Sequence, residues 1–205
     1  LTDLDEQAYG TDSLAPDTDD DGAEDDVEVA ANTDALDSRS PFVLKVMDLD
    51  AGETVTVGVH ADQTKLELAT GFGIDLWVKP ETLAAGSDLV TKWSGAAVNY
   101  RLGYDAAGRV FFQVGGQTLQ GLPDAVLPTG EWSHIRAWVE AGSLNLTVYT
   151  LNVDAEYAEF TNSVPLAVPV PVAHGDFVMG GGGFNGMLDE VAVYTYAGGA
   201  FHNRL

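Results

Sequence analysis

From Phe42 to the C-terminus the sequence is a succession of short apolar or alternating runs, and this pattern limits the fold more than any other feature. The runs read FVLKVMDL, ETVTVGVH, FGIDLWVKP, DLVTKW, VNYRLGYD, RVFFQVGG, WSHIRAWVEA, SLNLTVYTLN, FVMG and GMLDEVAVYTY. Turn-forming stretches divide them, among them AAG at 106–108, PTGE at 128–131 and EAGS at 140–143. No apolar pattern of helical period persists over twelve residues. Strands about ten residues apart with no crossover helices predict an all-β chain, an antiparallel sandwich or barrel.

Alternation also assigns faces, because successive side chains of a strand point to opposite sides of its sheet. Trp132, His134, Arg136 and Trp138 share one side of their run, and Ile135, Ala137 and Val139 share the other. In FGIDLWVKP, Ile74, Leu76 and Val78 are expected in the core, with Asp75 and Trp77 on the opposite surface. Two such faces suggest a central strand in a layered sandwich.

Residues 1–40 have a different texture. They hold fourteen of the 32 Asp and Glu residues and a single basic residue, Arg39, while the whole 205-residue chain carries a net charge of −23. That balance argues against nucleic acid, whose binding needs Lys and Arg against phosphates, and against an anionic membrane surface. No apolar run is long enough to cross a membrane as a helix. With no cysteine, disulfides and thiolate metal sites are excluded.

The stretch DTDDDGAEDDVE, residues 17–28, packs eight acidic side chains into twelve positions. Carboxylates 4 Å apart repel by about 1 kcal/mol per pair even in water, so a cation among them is expected. The spacing D-x-D-x-D-G-x-x-x-x-x-E matches a twelve-residue calcium loop. Asp17, Asp19 and Asp21 alternate around one centre, and Gly22 permits the bend. Ala23 offers its carbonyl, Asp25 binds directly or through water, and Glu28 closes the shell as a bidentate ligand. Oxygen-only donors in this number favour calcium.

A partial repeat accompanies the loop. EQAYGTDSLAPD from Glu6 aligns with EVAANTDALDSR from Glu28 at an offset of 22 residues, and Asp3 then matches Asp25. Glu6 would close an earlier loop whose first half lies before residue 1, so the chain is expected to be a piece of a longer one. Pro16 stands before the loop, and only DDVEVAAN could form a short exiting helix, which disfavours an EF-hand or a dockerin. Residues 1–38 resemble bacterial thrombospondin type 3-like calcium repeats. Asp20, Asp26 and Val27 depart from that pattern without removing a proposed ligand. The resemblance implies a rigid, calcium-loaded spacer between domains.

Over residues 42–197, FGIDLWVKPETL, LVTKWSGAAVNYRLGYDAAGRVFFQVGG, LPTGEWSHIRAWVEAGSLNLTVYTLN and FNGMLDEVAVYTYA follow one another in an order that resembles the LamG-like jelly rolls of the concanavalin A-like lectin/glucanase superfamily. FTNSVPLAVPVPVAHGDF fits poorly, its prolines suggesting an edge or loop, and GGAFHNRL lacks the usual closing helix pattern. The resemblance implies a structural calcium near the last strand, with Asp189 as a ligand, alongside a group near MDLDAG at 47–52. The expected organisation is therefore a loop-rich calcium-binding repeat segment at 1–40 and a jelly-roll β-sandwich at 41–205.

The superfamily also includes glycoside hydrolases, whose retaining members need two carboxylates about 5–5.5 Å apart. No E-x-D-x-E strand occurs. Asp154, Glu156 and Glu159 have the wrong spacing, and Asp189 and Glu190 would alternate to opposite faces. His60, His134, His174 and His202 are scattered, and GGGG at 180–183 reads as a close approach at a turn rather than a phosphate cradle. No catalytic constellation emerges. The expected function is a non-catalytic, calcium-binding module of a secreted or cell-surface bacterial protein, its jelly roll mediating adhesion through a glycan or protein ligand. The alternative is a calcium-stiffened scaffold presenting neighbouring domains. Trp93, Tyr100 and Tyr104 are the aromatic candidates for stacking on a sugar.

Overall fold

The structure, a computed structural model, describes residues 2–20, 22–31, 33–37, 46–58, 66, 68, 71–83, 86–95, 97–152, 154–197 and 200–204. Asp21 and His60 lie outside the described residues, as do the side chains of Asp3 and His202. The chain divides into two compact units, Leu1–Lys45 and Val46–Leu205.

In the first unit the sequence repeat becomes a structural one. Helix α1 (Asp3–Tyr9) and helix α2 (Asp25–Ala31) each have seven residues and begin 22 positions apart. The hydrogen bonds after them correspond. Thr11 N–H donates to Glu6 O (3.1 Å) and Thr33 N–H to Glu28 O (2.9 Å); Leu14 N–H donates to Asp12 Oδ1 (3.0 Å) and Leu36 N–H to Asp34 Oδ1 (3.2 Å). Helix α2 falls on the stretch expected to be helical. Helix α1 was not expected from local pattern, but the 22-residue offset requires it. Thr2 caps it, accepting from Asp5 N–H while the Asp5 carboxylate accepts from Thr2 N–H, and Gly10 closes it at φ 86.

The second unit is a two-sheet antiparallel sandwich of jelly-roll type. Its strands are β1 (Met47–Leu49), β2 (Val55–Val57), β3 (Phe72–Pro80), β4 (Ser87–Ser94), β5 (Ala97–Tyr104), β6 (Val110–Val114) and β7 (Gln117–Gln120). They continue as β8 (Ser133–Glu140), β9 (Ser143–Leu151), β10 (Tyr157–Pro165), β11 (Phe177–Met179), β12 (Gly186–Ala197) and β13 (Ala200–Arg204). A seven-stranded sheet has the order β1-β12-β3-β8-β9-β10, with β13 paired to β12; a six-stranded sheet has the order β2-β11-β4-β5-β6-β7.

The anticipated faces are present. Ile74, Leu76, Val78, Ile135 and Ala137 are fully buried between the sheets, and β3 is central, paired with both β8 and β12. Phe72 packs against Tyr100 (ring centroids 5.4 Å apart) and edge-on against Phe112 (6.1 Å) at the centre of the core. Burying each such side chain contributes about 1.5–3 kcal/mol.

One reading needs correction. Tyr100 and Tyr104 are not surface aromatics: both are fully buried, their hydroxyls donating to Leu66 O (3.3 Å) and Thr82 O (3.2 Å). Burial pushes the Tyr100 phenol well above its ordinary range. Inside FTNSVP lies most of β10, a full strand at the sheet edge. Its last residue, Pro165, lacks the N–H that an interior strand would need. That edge is tied to the other sheet, Asn162 Nδ2 donating to Gln120 O (2.9 Å) and Gln117 Nε2 to Pro165 O (2.7 Å).

The GGGG stretch does serve a close approach. Gly180 N–H donates to Leu89 O (2.9 Å) and Asp88 N–H to Gly181 O (3.1 Å). A Cβ on Gly182, which has φ +59, would stand 2.5 Å from Gly86 O.

Candidate functional site

The outward face of the seven-stranded sheet gathers side chains from four consecutive strands into registered rows. One row runs Trp77, His134, Tyr149, Glu159 across β3, β8, β9 and β10. The next runs Asp75, Arg136, Thr147, Thr161, and the third Gly73, Trp138, Asn145, Ser163. Neighbouring strands lie about 4.8 Å apart, so adjacent members of a row touch, although up to 65 residues separate them in sequence. A groove of about 460 Å³ opens on this face, lined by Arg136, Trp138, Thr147, Tyr149 and Glu159 together with His134 and Thr161.

Aromatic and polar groups alternate here. Tyr149 is 37% and Tyr157 43% exposed, and their rings stack at 5.2 Å with an interplanar angle of 18°. Tyr157 is anchored by its hydroxyl, which donates to Trp132 O (3.0 Å). Trp77 lies tilted against the His134 ring at 4.9 Å. Hydroxyl pairs continue the rows, with Thr147 Oγ1 and Thr161 Oγ1 at 2.9 Å and Ser163 Oγ donating to Asn145 Oδ1 at 2.8 Å. In the third row Gly73 puts no side chain beside the Trp138 indole.

Beside Arg136 on the same face, Asp75 accepts from Arg136 Nε at 2.9 Å through Oδ2, and from His134 Nε2 through Oδ1. Burial by itself would raise the Asp75 pKa, but the bonds from His134 and Arg136 and their charges outweigh it, so the carboxyl is held below its ordinary range.

Sequence reasoning placed His134, Arg136 and Trp138 on one face but did not single out Tyr149 or Tyr157, and weighed Glu159 only as a hydrolytic carboxylate. The signal was available in the alternation of SLNLTVYTL and of YAEFTNSVP, which puts Tyr149 outward on β9 and Tyr157 and Glu159 outward on β10. The expected candidate Trp93 is 49% exposed, but on β4 of the other sheet.

The acidic segment offers a second site. Asp17, Asp19 and Ala23 are half-buried in the loop that precedes α2, whereas Asp25 and Glu28, three apart on one face of α2, are 2% and 1% exposed. Asp17 Oδ2 accepts from Gly22 N–H (2.8 Å). Asp25 accepts from Thr18 N–H and from Thr18 Oγ1, both at 2.8 Å. Glu28 Oε1 accepts from Thr33 Oγ1 at 3.4 Å. These donors are all oxygens, which is the chemistry calcium takes. Among the described residues no three acidic or histidine side chains converge as a ready metal site.

Asp189 faces the same side as Trp77, its partner across β3. It stands at a bulge that regular alternation did not foresee: the register shifts between Asp189 and Ala192, and Glu190 has φ 48. Asp189 Oδ1 accepts from Glu190 N–H at 2.7 Å, stabilising the irregular turn of chain.

Residues 51–200 match a family model, Laminin_G_3, described as the concanavalin A-like lectin/glucanases superfamily. No curated protein matches the chain by sequence. Among solved structures, domain 4 of AbnA, an extracellular arabinanase from Geobacillus stearothermophilus in complex with arabinotriose, aligns at 19% identity and TM-score 0.51, covering 77% of this chain and 72% of that one. The CBM40 of the Ruminococcus gnavus IT-sialidase, bound to sialyllactose, aligns at 15% identity and TM-score 0.57, over 74% of this chain and 91% of that one. A leech intramolecular trans-sialidase aligns at 14% and 0.57, over 74% of this chain and 25% of its own. At these identities the likeness is one of fold.

Proposed function

This chain belongs to the concanavalin A-like lectin/glucanases superfamily, and from that premise we propose that its jelly roll is a non-catalytic carbohydrate-binding module of a secreted or cell-surface protein. The observation that carries the reading is the groove in which Trp138 and Tyr149, itself stacked on Tyr157, stand beside Arg136, Thr147 and Thr161. A sugar ring has an apolar face that stacks on an aromatic ring and a rim of hydroxyls that pairs with short polar side chains. Tyr149 is held by its stacking partner before any ligand arrives, which lowers the ordering cost of binding. The glycan complexes of the arabinanase domain and the sialidase module support the reading.

The carboxylates of the face do not form a hydrolytic pair in this reading. Retaining hydrolysis uses two carboxyls about 5–5.5 Å apart, one protonated and one free to attack. Asp75 is engaged by Arg136 and His134, and Glu159 lies three strands away, with β8 and β9 between them.

The acidic unit is proposed to bind calcium through Asp17, Asp19, Asp21, Ala23, Asp25 and Glu28, acting as an ordered spacer. Extracellular calcium modules bind at about 10⁻⁴–10⁻³ M, so such a loop is empty in a cytosol and loaded outside the cell.

The reading is tested by calorimetric titration of the whole chain with a panel of neutral and acidic oligosaccharides, repeated on Tyr149→Ala. Saturable binding that Tyr149→Ala weakens about tenfold is expected. Binding that the substitution leaves unchanged would place the ligand elsewhere, and no binding to any glycan would leave the scaffold alternative.

A further inference from the structure

The groove has a charge as well as a shape, and the charge selects among glycans. Arg136 is the one lysine or arginine among the described residues lining it. Its Nε is committed to Asp75 Oδ2 at 2.9 Å, and the other oxygen of Asp75 is bonded to His134. The Arg136 guanidinium is thus already paired with a neighbouring carboxylate whose side chain is only 15% exposed.

On the opposite side Glu159 is exposed and pairs in register with Tyr149, the aromatic a sugar would stack on. Its Oε1 accepts from Thr161 Oγ1 at 3.4 Å, a neutral partner that leaves the negative charge in place. Glu140 adds a second carboxylate two residues beyond Trp138 on the same face of β8. Residues 41–205 also carry a net charge of −10, so the wider field has the same sign.

Resting on the carbohydrate reading above, we infer that the groove takes uncharged glycans and rejects sugars that carry a carboxylate, such as sialic or uronic acids. A neutral ring meets aromatic faces, hydroxyls and the outer edge of a guanidinium whose charge is balanced. A sugar carboxylate placed on the same platform meets Glu159, while the groove's one arginine is already engaged with Asp75. Two such charges a few Å apart, at an effective dielectric between water and protein surface, cost roughly tenfold in affinity. The fold does not decide this: the sialidase module, similar in fold, binds sialyllactose, so the selection lies in these side chains.

The experiment pairs neutral and acidic probes on the full chain: lacto-oligosaccharides with and without sialic acid, xylan fragments with and without glucuronate, and galactan beside galacturonan. Calorimetry at low and high salt reads the affinities. Preference for the neutral member by about tenfold at low salt, narrowing at high salt as the repulsion is screened, is the expected result. Equal or tighter binding of the acidic member, weakening with salt, overturns the inference and leaves the carbohydrate reading standing. Binding to no probe overturns both. The exposed Glu159→Gln variant, checked for folding by circular dichroism, should raise the acidic-to-neutral affinity ratio by about fivefold. An unchanged ratio would remove Glu159 as the source of selection.

Discussion

Asp75 Oδ2 accepts from Arg136 Nε at 2.9 Å across the β3–β8 pair, placing a half-buried ion pair on the same sheet face as the exposed aromatic platform. The pair holds the guanidinium plane in position while neutralising its charge, so one contact shapes both the rigidity and the electrostatics of the groove.

Asp75 should make stability depend on pH with a definite sign. Its carboxyl is held below its ordinary value of 3.8 by the bonds and charges of His134 and Arg136, despite the opposing effect of burial. The folded state therefore binds this proton less readily than the unfolded chain. The contribution is whole above about pH 4 and is lost as pH falls through the depressed value. Asp75→Asn should cost about 1–2 kcal/mol at pH 7 by urea denaturation, and the gap from the parent protein should close in strongly acidic buffer. A gap that stays constant with pH would show that the ion pair is not its origin.

The Tyr149–Tyr157 stack is expected to act through preorganisation. Tyr157→Ala frees Tyr149 and removes a contact worth about 0.5–1.5 kcal/mol, so neutral-glycan affinity should fall about three- to tenfold with little change in the denaturation midpoint. Trp93→Ala, on the other sheet, should leave affinity unchanged. Loss of binding in Trp93→Ala would move the site to the six-stranded sheet.

Calcium added to chelator-treated protein should bind saturably at about 10⁻⁴–10⁻³ M and protect the first unit from proteolysis. Glu28→Ala should abolish that binding and that protection. Asp189→Ala in the same background reads whether a further ion sits at the β12 bulge: residual binding that vanishes on this substitution places one there. No calcium uptake by the parent protein at millimolar concentration would remove the ion from both places.

Gly175 has a role fixed by space alone. A Cβ there would collide with Trp93 O, while its own carbonyl accepts from the buried Lys92 Nζ at 2.6 Å. Gly175→Ala must push the chain off the end of β4, and a loss of about 1–3 kcal/mol is expected from urea denaturation. An unchanged midpoint would mean that the loop yields at no cost.

Much of this was legible in the order of residues, because a strand of any partnership sends neighbours to opposite faces. Ile74, Leu76 and Val78 against Asp75 and Trp77 needed no tertiary information, nor did the 22-residue offset that recurs in α1 and α2. The class of fold followed from the strand spacing for the same local reason. Tertiary structure decided which aromatic-bearing face meets water. Tyr100 and Tyr104 lie on an alternating strand as Tyr149 and Tyr157 do, yet the first pair is sealed between sheets and the second is open. The difference arises from which side of each strand the other sheet covers, a relation between segments far apart in sequence. Asp75 and Arg136, 61 residues apart, meet for the same reason. Periodicity establishes that a strand has two faces; only the pairing of β3 with β8, β9 and β10 assembles those faces into a groove with a charge.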